Sequence, residues 1–301
     1  MTRSVWLALA ALLLGSGDAS AWNAGGHRLV AAIAWKEIDP PTRTRIGELL
    51  AAHPDHARWL ERSKGDNPDY AAFLEASTWA DDIRRDPRFH DDDEAATAVM
   101  PGFPDMGRHR SWHYIDQPVF ATPILSPGDG ELDLRLARLG ETVRRNDAAK
   151  PQRAYALAWL IHLVGDAHQP LHTVSRFDKE GRSDDGGNAL WVETPHHPRL
   201  REMTLHAYWD DLAGPPWLRG RQLDSAADRL APLGGTPKSA GTVSSWLAEG
   251  RLLAETIVYA GLEGETPTLD ETYHQRALQT ARERVAVAGK RLARLLERIL
   301  K

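Results

Sequence analysis

The 301-residue chain contains no cysteine. Disulfide staples and thiolate zinc sites are therefore excluded. A chain of this kind outside the cytoplasm must hold together by core burial, or by metal ions on nitrogen and oxygen donors. Also missing is any apolar run approaching the ~20 residues that a membrane span requires. Alternating β-branched runs are scarce, which argues against an all-β architecture. There is no excess of positive charge either: 37 Lys and Arg face 42 Asp and Glu, a formal net charge of −5. Any attraction to a polyanion must come from a local cluster of cations rather than from the whole surface. No internal repeat of solenoid length is visible.

What the chain does have is apolar residues at helical spacing along most of its length, the pattern of a mainly α-helical globular protein. Helices are expected over 42–52, 69–84, 132–146, 152–167, 206–212, 242–262 and 270–300. Only Ser111–Asp116 ("SWHYID") and Asn188–Glu193 ("NALWVE") read as extended, and the two are candidates to pair as a small β-ribbon. The Pro- and Gly-rich stretches at 101–107, 123–130 and 177–188 are too short for domain linkers, so residues 22–301 are expected to form one domain. Residues 1–21 combine an early Arg3, an apolar run from Val5 to Leu14 and the ending Ala19-Ser20-Ala21. This reads as a cleaved secretory signal, with a retained anchor as the alternative. A secreted or periplasmic monomer without a membrane anchor is expected. The basic, amphipathic carboxy-terminal helix is expected to pack on the core with a solvated Arg/Lys face rather than on a membrane.

The densest titratable segment is "IHLVGDAHQPLH", Ile161–His172. His162 and Asp166 stand four apart on an expected helix, so their side chains project from one face about one turn apart. Pro170 should end that helix, and the turn can return His172 towards the same face. The spacing recurs in "LHAYWDD" with His206 and Asp210. Buried imidazoles and carboxylates cost several kcal/mol unless paired, and a divalent metal satisfies them together. Three weaker candidates have aromatic company: His27 in "WNAGGH", Asp81 in "STWADDIRR" and His113 in "SWHYID". Alone, each has a plainer reading as a satisfied core histidine or a helix-surface charge.

Taken in order, "WNAGGH", "WADDIR", "WHYI", "HLVGDAHQPLH", "DDGGN" and "LHAYWD" resemble the zinc-dependent single-strand-preferring nucleases, the secreted fungal and plant bifunctional family related to zinc phospholipase C. The motifs run from residue 22 to 210, and no diagnostic motif follows. The resemblance implies a single-domain, mostly helical fold of the zinc phospholipase C/nuclease type and three zinc ions. One zinc would take the amino group and carbonyl oxygen of Trp22, His27 and one oxygen of Asp166. A second would take Asp81, His113, His162 and the other oxygen of Asp166. The third would take His172, His206 and Asp210. Such a set of nitrogen and oxygen donors suits zinc.

The implied activity is endonucleolytic hydrolysis of single-stranded DNA and RNA to 5′-phosphate products, with 3′-nucleotidase activity at the same site. Two zincs sharing a carboxylate typically lie ~3.5–4 Å apart and activate water for in-line attack. Arg84, three residues after Asp81, is expected over the phosphate, against a surface ion pair with Asp81 or Asp82. Asn188 and Tyr114 are the expected substrate contacts, with a tight turn and core packing as their alternatives. His168 should point off the ligand face in a structural role. The rival readings are a zinc-dependent phospholipase C and a non-catalytic periplasmic metal-binding protein. The fungal relatives carry disulfides and this chain has none, so its stability and loop rigidity are expected to rest on core burial and bound metal.

Overall fold

The computed structural model describes residues 22–63, 66–120, 129–236 and 239–301, and the expected signal segment lies outside them. Among the described residues ten α-helices dominate: α1 Ala24–Glu37, α2 Pro40–Leu50, α3 His56–Arg62, α4 Pro68–Asp82, α5 Leu132–Arg144, α6 Lys150–Asp166, α7 Leu205–Asp211, α8 Gly220–Leu230, α9 Val243–Leu253 and α10 Glu271–Ile299. The mainly helical class is as the periodicity indicates.

α1, α3 and α8 were not among the expected helices. α1 is buried continuously from Gly25 to Trp35, so it carries no polar stripe to mark a period. α3 and α8 show the opposite problem, since α3 buries only Trp59 and α8 only Leu223 and Ala227. The single helix expected over 242–262 is α9 followed by a π-helical turn, Ala254–Val258.

The expected ribbon between 111–116 and 188–193 does not form. Residues Arg110–His113 make a 3-10 turn instead, and the strand that follows, β1 (Gln117–Val119), pairs in parallel with β2 (Val174–Arg176). Strand β3 (Trp191–Glu193) pairs with β4 (Glu202–Thr204) in a separate antiparallel ladder. Six-residue stretches carry too little period to separate a strand from a turn. Backbone pairing of Ile115 N with His172 O, 2.9 Å, draws the first segment to the end of α6 instead.

The core is built around α1 and α6. α1 packs on α10, α4 and α8, and α6 packs on α5 and α4. α10 presents Tyr273, Ala277, Ala281, Val285, Ala288 and Leu292 inward at spacings of three and four, so it is a core helix with a polar outer face. At Gly289 an added Cβ would lie 2.7 Å from Ile33 Cβ, which lets α10 lie directly on α1. No helix among the described residues is long and apolar enough to cross a membrane. Eight of the ten tryptophans in this region are buried, leaving only Trp191 and Trp217 exposed.

Candidate metal centre

The start of α1 is fixed by Asn23, whose side-chain oxygen accepts from Gly25 N (2.9 Å) and Gly26 N (3.2 Å). The two glycines that follow are forced by close approach. A Cβ on Gly25 would lie 2.2 Å from Pro215 O, and one on Gly26 would lie 2.7 Å from Trp22 Cβ. Trp22 is fully buried against this turn, and Asn23 N donates to Asp210 O (3.2 Å). One turn into α1, His27 faces α6.

α6 ends at Asp166, with His162 one turn earlier, and both are fully buried. The two carboxylate oxygens of Asp166 point in different directions. Oδ1 lies 3.3 Å from His27 Nε2, whereas Oδ2 lies 3.0 Å from His113 Nδ1 and 3.4 Å from His162 Nε2. Asp81, in the last turn of α4, brings Oδ1 to 3.8 Å from His162 Nε2. His172 follows Pro170 in a 3-10 turn and sets its Nε2 3.0 Å from His206 Nε2, with Asp210 Oδ2 3.6 Å from the latter.

Three groups of donor atoms therefore converge: His27, His162 and Asp166; Asp81, His113 and His162; His172, His206 and Asp210. All eight side chains expected from the sequence are brought together. His162 stands between the first two groups. No contact among the described residues bears on the Trp22 amino group as a donor.

The hydrogen bonds around the groups show why they fit a metal. His162 Nδ1 donates to Ser77 O (2.8 Å), His172 Nδ1 to His113 O (2.7 Å) and His206 Nδ1 to Gly186 O (2.7 Å). In His172 and His206 the carbonyl fixes the ring tautomer and leaves Nε2 as a lone pair aimed inward, and in His162 it fixes Nδ1–H and turns Nε2 towards Asp166 and Asp81. The Nε2 lone pairs of His172 and His206 then face each other at 3.0 Å, an arrangement that repels unless a cation lies between them. Both ring nitrogens of His27 and Oδ1 of Asp166 are buried without a hydrogen-bond partner. Nitrogen and carboxylate donors of this kind, aligned and dehydrated, fit zinc.

The titration behaviour agrees. Burial holds His27, His113 and His172 well below the ordinary imidazole range and His206 at about 4, so all four are neutral, as ligands must be. Burial also raises Asp166 to about 6 and Asp210 well above the usual carboxylate range. For His162 burial alone would lower the value, but the carboxylates of Asp166 and Asp81 outweigh it and hold the ring at about 9. A proton there supplies the positive charge that the two carboxylates demand. The Arg84 guanidinium is 8% exposed, lies 3.4 Å from Asp81 Oδ1, and its charge adds to the lowering of His27, His113, His172 and His206. Arg84 is thus within electrostatic reach of all three groups rather than at the protein surface.

Several supporting residues were not singled out by their spacing. Gln169 donates to Asp210 Oδ1 (2.8 Å) and accepts from Leu171 N, tying the third group together. Gly186, at φ +57° and with room for no Cβ beside Leu171 O, supplies the carbonyl that holds His206. Both sit inside quoted motifs, and that position was the only signal. His168 donates from Nδ1 to Val164 O (2.8 Å) and meets Arg291 at Nε2, and it belongs to none of the donor groups. Asn188 is half-buried, with Nδ2 donating to Asp185 O (2.8 Å) and lying 3.3 Å from His206 Nδ1. Tyr114 is half-buried directly after His113.

Comparison with known proteins agrees with this geometry. Endonuclease 2 of Arabidopsis thaliana is 25% identical over 332 residues, covering 99% of this chain and 96% of the plant protein. The sequence model described as S1/P1 Nuclease matches residues 22–301, a span that includes every donor group above. The chain belongs to the S1/P1 nuclease family.

Proposed function

We propose that the protein is an exported zinc-dependent endonuclease that hydrolyses single-stranded DNA and RNA to 5′-phosphate products and removes terminal 3′-phosphates from nucleotides. The observation that carries this reading is the split of Asp166, one oxygen towards His27 and the other towards His113 and His162. One carboxylate can thereby hold two adjacent cations, and such a pair is suited to in-line phosphodiester hydrolysis.

His27, His113, His162, Asp81 and Asp166 would hold two of the zincs, together with the Trp22 amino group once a signal segment is removed. His172, His206 and Asp210 would hold the third. Zinc, when bound, supplies Lewis acidity that activates water and offsets charge on the phosphodiester oxygens. The rest is done by the chain. Ser77, His113 and Gly186 carbonyls keep the imidazoles in the ligand tautomer. Arg84 places a guanidinium where the equatorial phosphoryl oxygens gain negative charge in the transition state. The buried walls exclude bulk water from the donors. Tyr114 offers a ring beside His113 on which an unpaired base can stack, and a base held in a duplex cannot reach it. Asn188 offers an amide at the edge of the third group.

Membership of a nuclease family favours this reading over a phospholipase C, and groups of three side-chain donors, which leave a position open to water, favour it over a protein that merely stores metal. The test is incubation of the Trp22-initiated protein with a labelled single-stranded oligonucleotide, with and without a zinc chelator, reading product ends by mass spectrometry. Chelator-sensitive fragments bearing 5′-phosphates are expected. An intact oligonucleotide with zinc bound would overturn the reading.

A further inference from the structure

Of the described tryptophans, the two left in solvent, Trp191 and Trp217, flank α7, the helix that carries His206 and Asp210. Trp217 is 64% exposed. Its loop is not loose. Pro215 O closes over Gly25, Gly214 O accepts from Asn23 Nδ2 (2.8 Å), and Pro216 O accepts from Arg28 Nη1 (3.0 Å). Arg28 follows His27 in sequence and is held between the buried Glu75 and the loop. The loop bearing Trp217 is therefore clamped onto the first turns of α1 through Asn23, Gly25 and Arg28.

A second loop arrives from the β3–β4 hairpin. Arg199 lies over the Trp217 ring at 5.3 Å and pairs with Asp211, the neighbour of Asp210. Asp211 in turn accepts from Asn23 Nδ2 (2.8 Å). Of two neighbouring basic stretches, "PRLR" at 198–201 brings Arg199 to the indole, whereas in "LRGR" at 218–221 Arg219 pairs with the buried Glu75. Arg201 and Arg221, in the same two stretches, are exposed, on a chain whose net charge is −5. Eight of the ten described tryptophans serve the core, whereas Trp217 is held in water by a fixed loop with a guanidinium on one face of its ring.

We propose that Trp217 and Arg199 form a second strand-binding platform on the rim of the metal centre. A base of a nucleotide flanking the scissile phosphodiester stacks on the open face of Trp217, and Arg199, Arg201 and Arg221 attract the phosphates of the same strand. This inference rests on the nuclease reading and assigns it a preference for longer single strands over short ones. An aromatic ring with neighbouring arginines is the chemistry that holds unpaired strands without base specificity.

The test compares Trp217→Ala and Trp217→Phe with the parent on a ten-nucleotide thymidine oligomer and on a dinucleotide. Trp217→Ala is expected to raise KM for the decamer about fivefold or more, with the dinucleotide changed less than twofold and Trp217→Phe close to the parent. Equal KM on the decamer would overturn the platform, as would a parallel loss on both substrates, which would mark the loop as structural. Fluorescence anisotropy of labelled decamer provides a readout independent of turnover. If the parent cleaves neither substrate, the nuclease reading fails by itself. The platform still stands if Trp217→Ala weakens decamer binding, and falls if binding is unchanged.

Discussion

The donor groups of the metal centre are built on two different kinds of scaffold. In the first two groups His27, Asp81, His162 and Asp166 sit on α1, α4 and α6, the long helices of the core, and only His113 comes from a short turn; His162 belongs to both groups, and Asp166 turns one oxygen towards His27 and the other towards His113 and His162. His172, His206 and Asp210 sit on a three-residue turn and a seven-residue helix, and depend on Gln169 and on the Gly186 carbonyl for their orientation. The first region is fixed by the same packing that makes the fold. The second is fixed by a few hydrogen bonds and a glycine turn and touches the first where His172 Nδ1 donates to His113 O, so it is weakened with least effect on the first at Gln169 and Gly186, away from that bond.

Arg84 reaches both regions, and its loss should leave the metals of each in place. Arg84→Ala is expected to lower kcat by ~10²–10³ with zinc content unchanged, because the guanidinium acts on transition-state charge. Steady-state kinetics alongside metal analysis checks this, and loss of zinc would instead make Arg84 a structural partner of Asp81.

The chelated protein should reveal the first region by its alkaline behaviour. The folded His162 ring titrates at about 9 against 6.5 for the free side chain, so the folded state binds the extra proton. That stability is fully present below pH 6.5 and is lost as pH rises towards 9. Thermal melts from pH 6.5 to 9 with and without zinc should show a falling Tm only when zinc is removed. A flat chelated profile would contradict the charge account of His162.

The second region is sharpened by Gln169→Ala, which frees Asp210 Oδ1. A ~10–100-fold loss of affinity for one zinc is expected, with the other two retained. Competition with a zinc-binding dye reads this directly, and loss of two or three ions together would erase the distinction between the regions. The smallest effect should come from Asn188→Ala, a rise of roughly a few-fold in KM at unchanged zinc content, as befits one uncharged hydrogen bond. A large fall in zinc content would show that Asn188 serves His206 rather than substrate.

The same contrast explains what could be read from the sequence. His162–Asp166 and His206–Asp210 were legible because helix geometry turns a spacing of four into one face. α10 was legible from its periodic inward face, and α6 was legible although it is buried continuously from Ala154 to Asp166. His27 was legible only through its motif, since α1 is buried on every side and shows no period. The placement of His113 depended on a 3-10 turn and on a backbone bond to His172, both long-range outcomes, and the extended reading of that segment failed there. The roles of Ser77 and Gly186 are played by carbonyl oxygens, which residue type does not disclose.

The account stands most directly on the shared carboxylate, and zinc per chain in Asp166→Ala, measured by mass spectrometry on protein shown by circular dichroism to be folded, tests it. The parent should carry three zincs, one for each donor group, and the variant should keep only the one held by His172, His206 and Asp210. A folded variant that still carries all three would contradict the claim that Asp166 holds two metals at once.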